Sequence, residues 1–306
     1  MTRPFYFVKK EKNMDLKQPL TFEAQVAQLQ SHGLIIDDFD EAVSFLGRVN
    51  YYKFTGYTLQ FRKDARSSDL VPSHHFAEIR KLYEFDAELR QLLRGYLEIV
   101  EIYYKTQISN TFALEKCTES PYDQHYDENN YYDKAGFSHI LLNFNKERGY
   151  YADSLIVKHH EEHYEGKMPL WVMTELMSFS SVSKLYNAMY SSSQERIARH
   201  FNVGYRTLAN HLHCMSVLRN KCSHGARLIN TRLHPPVRLS RKFLTDHPTV
   251  DNASLFAYLL VLARRLPSAS SRQSFIAELY ALIQRYADVL DLTLLGFPSN
   301  YRSILK

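Results

Sequence analysis

The feature that most constrains this chain is a forty-residue stretch opening near Ser73 and running to about Leu114. Phe76, Ile79, Leu82, Phe85, Leu89, Leu93, Tyr96 and Val100 recur at steps of three and four, with Tyr83, Leu92, Ile99 and Tyr103 beside them. That is the period of a helix with one buried face, and it predicts a long central helix. Glycine and proline number ten each in 306 residues, which suits a mostly helical protein.

A second periodic stretch is Tyr205–His224, with Leu208, Leu212, Met215, Leu218 and Cys222 on one face and Gly225 placed to stop it. His224 then lies in the last turn, where the negative end of the helix dipole favours a charged imidazole. At about 100° per residue, Ser216, Asn220 and His224 share a stripe beside the apolar one. Arg219 falls within the apolar arc itself. A guanidinium there needs a carboxylate or must reach past its apolar neighbours. The candidates are Glu98 and Glu101, three residues apart in the long helix, with Lys105 one turn beyond.

Shorter helices are predicted after Thr21 and after Asp37 or Asp38, over Ser154–Glu165 and Gln194–Phe201, and over Asn252–Leu266 and Ser270–Leu290. Pro169 is placed to start another, with Trp171, Leu176 and Phe179 read as core. Residues 1–20 form a basic arm containing Lys9, Lys10, Lys12 and Lys17. Residues 115–152 are rich in tyrosine, including Tyr122, Tyr126, Tyr131, Tyr132, Tyr150 and Tyr151. These are expected to pack as a half-buried layer rather than to stack on bases.

The formal charge of +5 is compatible with a polyanion partner without requiring one. Cys117, Cys214 and Cys222 form no C-x-x-C pair, so neither a disulfide framework nor a zinc ribbon is expected. His159 and His163 lack a further ligand nearby. His211, His213 and Cys214 diverge on a helix, so no metal site and no cofactor is expected. No apolar run is long enough for a signal peptide or a membrane span, which makes a cytoplasmic protein the expectation.

Four blocks carry a family resemblance. Leu218-Arg-Asn-Lys-Cys-Ser-His-Gly-Ala-Arg-Leu-Ile-Asn230 resembles the signature of Abi-like (abortive infection, AbiD/AbiF-type) proteins, approximately L-R-N-x-C-A-H-H-x-R-L-W-N, within the HEPN superfamily of helical ribonucleases. Gly225 and Ile229 depart from it. Arg48-Val-Asn-Tyr-Tyr-Lys-Phe-Thr-Gly-Tyr57, Leu97–Thr106 and Pro169–Ser180 resemble three further family blocks, with Lys105 in place of an arginine and Ser180 in place of a glycine. The resemblance spans residues 18–235.

It implies an all-α, HEPN-like helical bundle with additional packed helices, a domain of residues 21–235 behind the basic arm 1–20; the C-terminal helices of 236–306, expected from periodicity alone, complete the bundle or pack on it. It also implies a metal-independent endoribonuclease used in defence against phage. RNA cleavage of that kind deprotonates a 2′-hydroxyl that attacks its own phosphate. An imidazole suits the proton transfer and a guanidinium the charge growing on the phosphoryl oxygens. His224 is accordingly assigned to proton transfer, Arg219 to phosphate binding and Asn220 to positioning. Arg227, Arg232, Arg238, Arg241 and Lys242, which follow the motif, are expected to flank the cleft and bind RNA. One motif per chain implies a homodimer that completes the site. RNA is the expected substrate, and a structured noncoding RNA a further partner. The competing reading is a non-catalytic RNA-binding or toxin-regulating helical module.

Overall fold

The computed structural model describes residues 16–64 and 67–305. Among these the regular structure is helical, with three isolated β-bridges and no strand. The all-α expectation holds. Lys9, Lys10 and Lys12 of the basic arm lie outside the described residues, while Lys17 is exposed.

Two compact units meet at Arg80 and Lys81, a boundary inside the long helix and not at residues 20 or 235. The first unit holds α1 (Phe22–Ser31), α2 (Phe39–Leu46), α3 (Tyr51–Thr55) and the first turn of α4 (Phe76–Lys116). Thr21, Asp38 and Asn50 cap the three short helices by accepting first-turn amides. Phe45, Phe54 and Phe76 form an aromatic cluster at the centre of this unit.

The second unit is built on the rest of α4. At 41 residues this helix is about 60 Å long. Leu82, Phe85, Leu89, Leu93, Val100, Tyr104, Ile108 and Phe112 are buried along its length. Ile99 and Ile102 project into solvent, so the predicted apolar stripe is narrower than the sequence suggests.

After α4 come α5 (Lys134–Gly149), α6 (Leu155–Tyr164), α7 (Leu170–Leu176), α8 (Phe179–Ala188), α9 (Ser191–Arg199), α10 (Tyr205–Ser223), α11 (Arg241–Asp246), α12 (Leu255–Arg265), α13 (Ala269–Arg285) and α14 (Tyr301–Leu305). Every residue of α12 from Leu255 to Ala263 is buried, the mark of a central helix apolar all round. The C-terminal segment therefore supplies part of this unit's core.

Two expectations change. Trp171 is 56 % exposed because Leu170, Met173, Thr174 and Leu176 take the inward face of α7. The tyrosines divide: Tyr131 is buried and stacks on Phe137, and Tyr126 bonds the Met168 carbonyl, while Tyr122, Tyr132 and Tyr150 stay exposed.

Candidate functional site

The carboxyl end of α10 is closed by backbone geometry. His224 is its C-cap, and Gly225 takes a left-handed φ of +63°. The Ala226 amide donates back to the Lys221 carbonyl at 2.9 Å, the six-to-one bond of a Schellman stop. Glycine tolerates this φ without the steric cost that a histidine in the family pattern would incur. The departure at position 225 thus suits the turn.

Above that turn the motif side chains are set out on different sides of the helix. His224 is exposed. Asn220 donates from Nδ2 to the Ser180 hydroxyl of α8 at 3.2 Å, using the position where the family has glycine. Arg219 does not point into the core. It reaches past its apolar neighbours and stays 42 % exposed, with Nε 3.5 Å from Oε2 of Glu101. The other oxygen of Glu101 meets Nζ of Lys105 at 3.0 Å, and both of those side chains are nearly buried. Glu101 is therefore the carboxylate that the position of Arg219 demanded. Glu98 lies on the exposed side of α4. Ser216, third in the polar stripe, is buried and bonds the His213 carbonyl within α10.

Behind the motif is an ion pair that the sequence reading missed. Asp86 and Arg90, one turn apart on α4, form a buried salt bridge. Asp86 has no exposed surface, and its carboxylate also accepts the backbone amides of Leu228 and Ile229 at 3.2 Å. Arg90 donates to the Ala226 carbonyl at 3.2 Å. The pair clamps the segment that leaves Gly225. Leu228 and Ile229 are buried beside it, which gives this part of the signature a packing role. Burial pushes the Cys222 thiol up to about 12, so it stays a neutral core group.

The basic residues after the motif separate. Arg227 remains near the turn and is half-buried. Arg232 pairs with Asp251 at 2.8 Å. Beyond it the chain runs back along α10: Asn210 accepts the Arg238 amide at 2.6 Å, and His211 donates from Nε2 to the Arg238 carbonyl at 2.9 Å. His211 precedes His224 by 13 positions, or about 20 Å of helix. Arg238 and, in α11, Arg241 and Lys242 are exposed, but they do not flank the motif as expected. Proximity in sequence failed here because the segment doubles back.

Burial lowers the His211 imidazole to about 4, the Arg238 carbonyl opposes this, and Arg265 and Arg264 lower it further. The folded value lies below the ordinary value of 6.5, so the unfolded chain binds the extra proton between the two. Stability is full above about 6.5 and is lost as pH falls toward about 4, by about 3 kcal/mol from this group. Urea midpoints measured across that window should fall for the wild type. They should fall less for His211→Gln, which cannot titrate.

The remaining histidines show no convergence on a metal. His159 and His163 stack at 4.7 Å, and Nδ1 of His163 is 2.9 Å from the His159 carbonyl. Among the described residues no three His, Cys, Asp or Glu side chains are grouped to hold an ion. No helix among them is long and apolar enough to cross a membrane.

A profile described as Abi-like protein matches residues 44–230, more than half of the chain, and takes in both α10 and the clamped turn. The chain belongs to the Abi-like family. That membership brings an abortive-infection type of function. Neither a curated protein nor a solved structure matches the chain at a significant level.

Proposed function

We propose that this Abi-like protein is a HEPN-type, metal-independent endoribonuclease acting in abortive infection against phage. The observation that carries the reading is the end of α10, where an exposed imidazole lies one turn from a guanidinium held by Glu101 yet still 42 % exposed. His224 moves the proton of the 2′-hydroxyl, Arg219 meets the phosphoryl oxygens, and Asn220, fixed on Ser180, positions the helix end. Arg219 and His224 are five residues apart, about 140° around a helix. That divergence supports a site completed by a second copy, in which two His224 side chains approach one cleft. RNA is the substrate, and a structured noncoding RNA is a candidate second partner. The reading places the protein in the cytoplasm. Cleavage of labelled RNA, with and without chelator, together with light scattering, tests it. A monomer in the presence and absence of RNA removes the composite site.

One observation favours the non-catalytic alternative, an RNA-binding or toxin-regulating module. Arg219 already has a carboxylate partner and in that role braces α10 against α4. The two readings part at the wild type, which cleaves RNA in the first and only binds it in the second, and the variant Arg219→Ala tests whether the arginine meets RNA or only braces the helix. Glu101 keeps Lys105, and Arg219 is partly solvated, so stability should drop by only about 1 kcal/mol. RNA cleavage should be lost, and RNA affinity should fall with a flatter salt dependence. A purely bracing arginine would leave affinity and salt slope unchanged.

A further inference from the structure

A cavity of about 580 Å³ is bounded by the last turns of α6, the chain that leads from it to Trp171 of α7, and residues 121–125. The proposed ribonuclease chemistry does not use it. Its size falls in the range of small-ligand sites. Three aromatic side chains on its wall, Tyr122, Tyr164 and Trp171, are each more than half exposed. Tyr122 and Glu165, which also line it, hold left-handed backbone at φ +61° and +54°. Residues with a Cβ rarely adopt that conformation, and it recurs where ligands are clamped.

The deciding group is His160, which lines the cavity and is only 7 % exposed. Its Nδ1 is 2.7 Å from the Ile156 carbonyl, and a carbonyl only accepts, so Nδ1 carries the proton. Nε2 of the neutral ring then presents a lone pair. It has no partner among the described residues, yet it is not sealed from solvent. His163, one turn on, is fixed in the same tautomer by the His159 carbonyl at 2.9 Å and lines the cavity too. Lys167 holds Asp123 at 2.6 Å, whereas Glu165 forms no salt bridge among the described residues. The wall thus offers aromatic faces, imidazole lone pairs and one uncompensated carboxylate, in a chain whose formal charge is +5. That set fits a cation bearing N–H donors. An unpaired RNA base would suit the rings, but its phosphates would meet Glu165. A metal ion would find no three ligating side chains grouped among the described residues. A quaternary ammonium would satisfy the rings and the charge but not the lone pairs.

We propose that this cavity binds an aliphatic primary amine of the diamine or polyamine class. One ammonium lies against the aromatic rings and donates to Nε2 of His160, and the other is drawn to Glu165. The site uses none of the motif residues and does not depend on the ribonuclease reading.

Trp171 is the only tryptophan of the chain, so its emission reports on this cavity in the wild-type protein. The full chain is titrated at physiological salt with putrescine, spermidine, butylamine, choline, adenosine and magnesium chloride, and calorimetry supplies the stoichiometry. Putrescine and spermidine should change the emission saturably, at one site per chain. Butylamine, which lacks the second ammonium, should bind about fivefold more weakly than putrescine. Choline, which lacks N–H donors on its nitrogen, should bind more weakly still, and adenosine and magnesium should leave the emission unchanged. Glu165→Gln, at an exposed side chain, should weaken putrescine about fivefold and narrow its lead over butylamine. No response to putrescine or spermidine would overturn the proposal. So would choline, magnesium or butylamine binding as tightly as putrescine, adenosine binding in place of the amines, or a Glu165→Gln protein that binds putrescine as the wild type does.

Discussion

Replacing His224 by alanine is expected to abolish RNA cleavage and the toxicity that goes with it, while the fold and RNA affinity stay close to wild type. The imidazole is exposed and supports no packing. The bonds that close α10 here are backbone bonds, from His224 to the Asn220 carbonyl and from Ala226 to the Lys221 carbonyl, and alanine keeps both. Loss of a favourable dipole contact costs at most about 1 kcal/mol. Loss of a proton-transfer group costs about 10²- to 10⁴-fold in rate. Wild-type products should end in a 2′,3′-cyclic phosphate and should form in excess chelator. A gel of labelled RNA decides the matter. Equal cleavage by both proteins removes the role given to His224, and cleavage that stops with chelator removes the metal-independent mechanism.

What could be read from the sequence was what short-range rules determine. The long helix and α10 were legible because apolar residues at steps of three and four leave one way to bury them. The stop at Gly225 was legible for a similar reason. The Arg219–Glu101 contact was foreseen because a charge in an apolar arc needs a partner. Glu98 and Glu101, three apart, were not separable without the rotation of α4. The Asp86–Arg90 pair was overlooked, since acid and base one turn apart read as a solvated face. Yet Asp86 lies at helical steps from Leu82, Leu89 and Leu93, in the same apolar arc, so the reasoning used for Arg219 applied there as well. Trp171 was misread because Leu170, Met173, Thr174 and Leu176 fill the inward face of α7 and leave the indole outside it. Arg238 was misplaced because adjacency along the chain does not survive a reversal of direction.

The buried clamp yields the largest expected change in stability. Asp86→Ala removes a carboxylate with no exposed surface, leaving the Leu228 and Ile229 amides without this acceptor and depriving Arg90 of its buried counter-charge. Breaking one side of such a pair costs about 3–5 kcal/mol, because the remaining charge stays desolvated. A buried amide left without an acceptor adds about 1–3 kcal/mol where the segment cannot relax toward water. The urea midpoint followed by circular dichroism should fall accordingly, and hydrogen exchange at Leu228 and Ile229 should quicken. The double replacement Asp86→Leu with Arg90→Met should recover much of the loss, since an apolar pair of similar volume carries no desolvation penalty. It cannot restore the acceptor for the two amides, so their exchange should stay fast even as the midpoint recovers. That split distinguishes a clamp on the turn after His224 from an ion pair that only fills the core. An Asp86→Ala protein within about 1 kcal/mol of wild type would show that the turn is held by the burial of Leu228 and Ile229 alone.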